Sequence, residues 1–192
     1  MLTRRERLMR TLRGESVDRP AVNFYEIGGL RMDPSDPDPF NVYNAPDWRS
    51  LLQLAEECTD LIRLRSPVRA QSHEVSGTTS NSVRQEFFRE QSWEEADTRF
   101  TKTTVTVAGR KLTETTIRRR DMDTVWTTEH LLKNTDDLRA FLQLPDEAFA
   151  ESVNVTPLLD EEAALGDRGI VMIDTEDPLC AAAALFPMEE YT

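Results

Sequence analysis

Hydrophobic and polar positions along the chain switch repeatedly between helical and strand spacing. Leu8, Met9 and Leu12 recur at helical spacing; Thr3 can cap this helix, Glu6 completes a capping box and Gly14 ends it. Residues 21–27 are β-prone and leave at Gly28-Gly29, which predicts a strand with a flexible exit. Pro34, Pro37, Pro39 and Pro46 make 31–47 an irregular loop. Trp48, Leu51, Leu52 and Ala55 mark an amphipathic helix to about Glu57, and 60–65 read as a second strand stopped by Ser66-Pro67.

Residues 70–98 are polar and fit neither period. From Arg99 the period becomes two: Thr101, Thr103, Val105 and Val107 alternate, Ala108-Gly109 turns the chain, 112–119 return and 124–127 make a third leg. This predicts an antiparallel β-meander at about 99–130, inserted into an otherwise α/β order. Helical spacing resumes at Thr135, with Asp136 and Asp137 at its start, Leu138, Phe141 and Leu142 as the buried face, and Pro145 after its end. A helix over 157–165, capped by Thr156 and stopped by Gly166, leads into the apolar strand 169–174. A small-residue helix over 179–185 follows.

Strands separated by helices imply parallel pairing through right-handed crossovers. Three strands have this character, and 192 residues fall short of the about 250 of a complete (β/α)8 barrel. The expectation is a single incomplete barrel domain, the N-terminal half of a TIM barrel, interrupted by the meander.

Composition narrows the function. With 35 acidic and 23 basic residues the net charge is −12, which opposes binding to nucleic acid or to anionic lipid. No apolar run approaches the roughly 20 residues of a membrane helix. The basic opening lacks the apolar stretch of a secretory signal. Cys58 and Cys180 lie far apart in sequence and read as reduced, fitting a cytoplasmic protein.

Several stretches together carry a resemblance. Thr3-Arg4-Arg5-Glu6-Arg7 through Leu12-Arg13-Gly14-Glu15 to Asp18-Arg19-Pro20-Ala21-Val22 resembles the first helix and strand of the uroporphyrinogen decarboxylase superfamily. Asp123-Thr124-Val125-Trp126, then Asp136-Asp137-Leu138 with Leu144-Pro145-Asp146, then Gly169-Ile170-Val171-Met172-Ile173 with Pro178-Leu179, resemble later steps in the same order. The decarboxylase branch has an arginine-rich motif after its first strand, where this chain reads Phe24-Tyr25-Glu26-Ile27-Gly28-Gly29-Leu30. The resemblance is therefore closer to the cobalamin-linked, methyltransferase-like branch. It implies methyl transfer on a small substrate, or alternatively a carboxy-lyase of tetrapyrrole metabolism. A third reading is a truncated, non-catalytic half-barrel that needs a partner.

The resemblance implies no cofactor within this chain, since His73, His130, Cys58 and Cys180 are isolated. Zinc and a corrinoid are implied only for a full-length relative, with ligands beyond Thr192 and a corrinoid protein as a partner. Barrel chemistry sits at the carboxyl ends of strands. That rule selects Asn23, Tyr25 and Glu26 after the first strand, Arg63 and Arg65 at the second, and Asp174, Glu176 and Asp177 after the third. Glu26 and Asp174 are the candidate proton-transfer groups. Asn23, Tyr25, Arg63, Arg65 and Glu176 are the candidate contacts to an anionic substrate. The alternatives are that the two arginines pair with acids such as Glu26 or Asp174, that Glu26 caps a loop, and that Glu176 and Asp177 cap a helix. An unpaired edge on the last strand is a further candidate surface for self-association.

Overall fold

The computed structural model describes residues 1–24, 27, 36–66, 68–69, 80–149, 153–175 and 177–191. In chain order the main elements are α1 (Arg4–Leu12), α2 (Arg49–Cys58), β1 (Leu61–Arg65), α3 (Ser80–Phe87), β2 (Phe88–Glu95), β3 (Thr98–Val107), β4 (Arg110–Arg119), β5 (Val125–Glu129), α4 (Thr135–Phe141), α5 (Thr156–Leu165), β6 (Gly169–Ile173) and α6 (Pro178–Ala184), with shorter turns between them. The chain divides into two compact units, Met1–Val68 with Val153–Thr175, and Arg69–Ser152 with Glu176–Thr192.

The first unit is α/β. β1 and β6 pair in parallel, from Leu61 beside Gly169 to Arg65 beside Ile173, as the helix-separated order requires. The Thr3–Glu6 capping box forms, and Gly14 follows α1 at φ +69°. Arg4 on α1 donates to the terminal carbonyls of α2, at Glu56 (2.6 Å) and at Glu57, so one cation satisfies two groups that the helix leaves unpaired. Leu52 and Ala55 of α2 pack with Ile27, and Phe24, Tyr43 and Trp48 close over them.

Two expectations change here. Residues 21–24 form no strand, because side chains occupy the positions a ladder would use. Val22 N–H donates to the Asp60 carboxylate (2.9 Å), and Ile62 N–H donates to the Asn23 side chain (3.3 Å). The described strands close no barrel: β1 and β6 form a two-stranded parallel sheet by themselves, and the largest sheet is antiparallel.

The second unit is built on that sheet, in the order β2-β3-β4-β5. It has four legs, not three, and begins at Phe88 rather than about 99. The polar run FREQSWEE hides the first leg from periodicity, because nearly all of it is exposed and no apolar alternation marks a face. One face of the sheet is apolar where Val105, Val107 and Leu112 pack with Leu131, Leu132, Ala140 and Leu144. On α4 the buried positions are Asp137 and Ala140, while Leu142 points outward at 71% exposure. Asp137 is accommodated by Arg110 (2.6 Å) and by the Lys133 N–H (3.0 Å).

Ala108 and Gly109 both have positive φ, the type I′ pattern that matches strand twist. Alanine is strained there, whereas asparagine tolerates the left-handed region. Ala108→Asn is expected to raise the unfolding free energy by about 0.5–1 kcal/mol, read as a higher urea midpoint at unchanged m-value.

Candidate functional site

Alternation along β1 sends Leu61, Arg63 and Arg65 to one face. Arg63 is 1% exposed, so its charge requires partners within the protein. They come from the helices on either side in sequence: Glu56 of α2 pairs with its Nη2, and Glu161 of α5 lies 3.5 Å from its Nε. Arg65, two residues nearer the strand end, is less enclosed. It reaches Glu161 at 3.5 Å and donates to the Leu64 carbonyl at 2.7 Å, with 29% of its side chain exposed. Glu162 completes this acidic edge of α5, pairing with Arg5 and accepting the Val171 N–H at 3.1 Å.

The parallel register then brings the two carboxyl ends together. Arg65 sits beside Ile173, and the next residue, Asp174, donates its N–H to the Arg65 carbonyl at 3.0 Å. Asp174 itself is exposed. Among the described residues, Arg65 and Asp174 are thus the two candidates that the fold places at one strand end, where α/β proteins hold ligands. Arg63 lies one repeat inward, among carboxylates. Asn23 is held against β1 by the Ile62 N–H. Tyr25, Glu26 and Glu176, like His73, lie outside the described residues. Asp177 caps α6, accepting from Leu179 N–H (2.7 Å) and Cys180 N–H (3.0 Å), which holds its carboxyl below the usual range.

No family model, curated protein or solved structure matches this chain.

Among the described residues no cluster of three or more His, Cys, Asp or Glu side chains forms a candidate metal site. His130 places Nδ1 3.0 Å from the Ala184 carbonyl, and Cys58 and Cys180 form no disulfide and lie at exposed helix positions, with the Cys180 thiol 3.6 Å from the Asp177 carboxylate. No described helix is long and apolar enough to cross a membrane.

Sequence reasoning missed the carboxylates that matter most. Nothing in the sequence sets Glu56 and Glu161 apart from other helix acids, and only tertiary contact brings them to Arg63. It also missed Asp60, which is fully buried. Burial pushes the Asp60 carboxyl up, but hydrogen bonds from the Val22 N–H, Arg19 and Arg7 outweigh this, and its net shift is downward. Asp18, gripped by Arg7, is also held well below the usual range. On the second unit, hydrogen bonds from Thr113, Lys133 and Thr115 lower Glu129 to about 2, whereas burial raises Glu114.

Proposed function

We propose that the carboxyl end of the β1–β6 pair binds a small anionic substrate. Arg65 holds the anion and Asp174 is the group available to exchange a proton. The observation that carries this reading is the joining of the two residues across the parallel register, with Arg65 retaining an exposed side. The resemblance supplies the reaction class. A uroporphyrinogen decarboxylase-type barrel of the methyltransferase-like branch acts on a small substrate at its strand ends, with zinc and a corrinoid as cofactors in a full-length relative and a corrinoid protein as partner. A partial TIM barrel is the architecture this reading entails. A decarboxylating lyase is the second form of the same reading.

Two anionic probes test it, a methoxybenzoate for the methyltransferase-like form and uroporphyrin I for the lyase form. Titrated calorimetrically into the full chain, one of them is expected to bind, and Arg65→Ala is expected to weaken it by about tenfold or more, the loss of one charge-assisted hydrogen bond. Asp174→Asn is expected to leave affinity within about twofold. No heat with either probe, or equal affinity in Arg65→Ala, would overturn the reading.

The exposed end of β6 favours an incomplete-sheet alternative. Met172 and Ile173 are 40% and 61% exposed on a strand with one described neighbour, an arrangement that invites a covering partner or a second copy.

A further inference from the structure

The four-stranded sheet has a second face, opposite Val105, Val107 and Leu112. Pairing places Trp93 beside Phe100, Phe100 beside Ile117 and Ile117 beside Trp126, so one apolar residue from each strand forms a continuous stripe. Each lies an odd number of residues from Phe88, Val105 or Leu112 on its own strand or on a directly paired one, which assigns the stripe to the face away from the core. Three inter-strand steps make it about 14 Å long. Trp93 and Trp126, at its two ends, are 39% and 37% exposed. The Trp93 indole is held in place: it stacks on Phe100 with centroids 5.2 Å apart and planes 7° apart, and its Nε1 donates to Glu95 at 3.0 Å.

Two register positions beyond Phe100 and Ile117, at the strand ends, lies a depression of about 540 Å³ lined by Ala96, Asp97, Thr98, Arg119, Arg120 and Asp121. Thr98 pairs with Arg119 and shares the stripe's face. The charges in the depression balance, two arginines against two aspartates, and Arg120 lies 3.3 Å from Asp97. Arg119 is exposed, and no ion pair is seen for it among the described residues.

We propose that this face binds a neutral oligosaccharide. The aromatic rings take the apolar C–H faces of the sugar rings, and Arg119, Asp121 and Thr98 take its hydroxyls, as donor, acceptor and both. The charge decides between this occupant and others. A polyanion meets a chain of net charge −12 and a depression whose own charges cancel, so it has no electrostatic drive to bind. A purely apolar partner would leave Arg119 and Asp121 without hydrogen-bonding partners. A polyhydroxylated ring ligand satisfies both the stripe and the charges. This inference stands on the second unit alone and is independent of the Arg65–Asp174 reading.

Intrinsic fluorescence of the full chain tests it, with cellohexaose, maltohexaose, chitohexaose and heparin as probes. Two of the three tryptophans lie on the stripe, and Trp48 serves as an internal reference in the other unit. A saturable shift with a neutral hexaose is expected. Trp93→Ala and Trp126→Ala are each expected to weaken it at least tenfold and Arg119→Ala severalfold, while Trp93→Phe keeps most of the affinity and controls for folding, checked by far-ultraviolet circular dichroism. The proposal fails if no neutral hexaose binds, if heparin binds in preference, or if binding survives both tryptophan substitutions. It also fails if sedimentation shows that the stripe is covered by a second copy, with a dimer that dissociates in Trp93→Ala and Trp126→Ala.

Discussion

Replacing Asp60 with alanine is expected to lower the unfolding free energy by about 3–5 kcal/mol, a large part of the stability of a domain of this size. Asp60 is fully buried, and three groups depend on it through four hydrogen bonds. Arg7 Nη1 donates to it at 2.6 Å, Arg19 through Nη1 and Nη2 at 2.8 and 3.1 Å, and the Val22 N–H at 2.9 Å. Arg7 is itself 3% exposed, so removing Asp60 leaves a buried cation with Asp18 as its remaining carboxylate. The expected cost exceeds that of a surface ion pair, which contributes at most about 1 kcal/mol, because the unpaired charge cannot return to water without opening the unit.

The same network sets an acid limb. Asp18 and Asp60 both titrate below their ordinary values in the folded chain. Their contribution is therefore complete above an unfolded pKa of about 4 and is lost as pH falls through the lower, folded values. Urea unfolding across pH 2–7 is expected to show this slope in the native sequence and a shallower one in Asp60→Asn. A double-mutant cycle with Arg7→Ala should return a coupling of roughly 1–3 kcal/mol. Additive single effects would mean that the carboxylate acts through Arg19 and Val22 alone.

Gly169→Ala is expected to destabilise the first unit by roughly 3 kcal/mol, although glycine to alanine in a strand ordinarily stabilises. Gly169 is buried at the first register position of the parallel pair, directly beside Leu61. An added Cβ would overlap the Leu61 carbonyl oxygen and lie 2.8 Å from both Leu61 C and Cβ. Neither strand can yield easily: Leu61 is 1% exposed, and the Gly169 carbonyl accepts from Arg5 at 3.1 Å. Gly14→Ala, in the same unit, is the control. Its Cβ would meet open space, so the cost is only the positive φ, about 1 kcal/mol. Chemical denaturation followed at Trp48 compares the two. Equal losses would show that the approach of β6 to β1 is not the controlling contact.

Local signals in the sequence determined a good deal. The Thr3–Glu6 box, the Ala108-Gly109 turn and the breaks at Gly14 and Gly166 act within a few residues of themselves, and each appears where the sequence puts it. The parallel pairing of 61–65 with 169–173 also follows from order alone, since strands joined through helices return in the same direction. At 21–24, within the strand expected over 21–27, the Asp60 side chain takes the Val22 N–H and the Asn23 side chain takes the Ile62 N–H, contacts that no local pattern announces. The first meander leg escaped notice for a related reason: Trp93 gains meaning only beside Phe100 on the next strand.

For function, the sequence determined which side chains stand near strand ends, and so nominated both Arg63 and Arg65. Only the tertiary structure separated them. Glu56 and Glu161 come from helices 7 residues before and 98 residues after Arg63, and they convert one nominated arginine into a buried, paired one while the other keeps an exposed side. A periodic pattern records which face a residue takes, but not which charge will meet it there. That pairing is a long-range property, fixed by the packing of α2 and α5 against the strands.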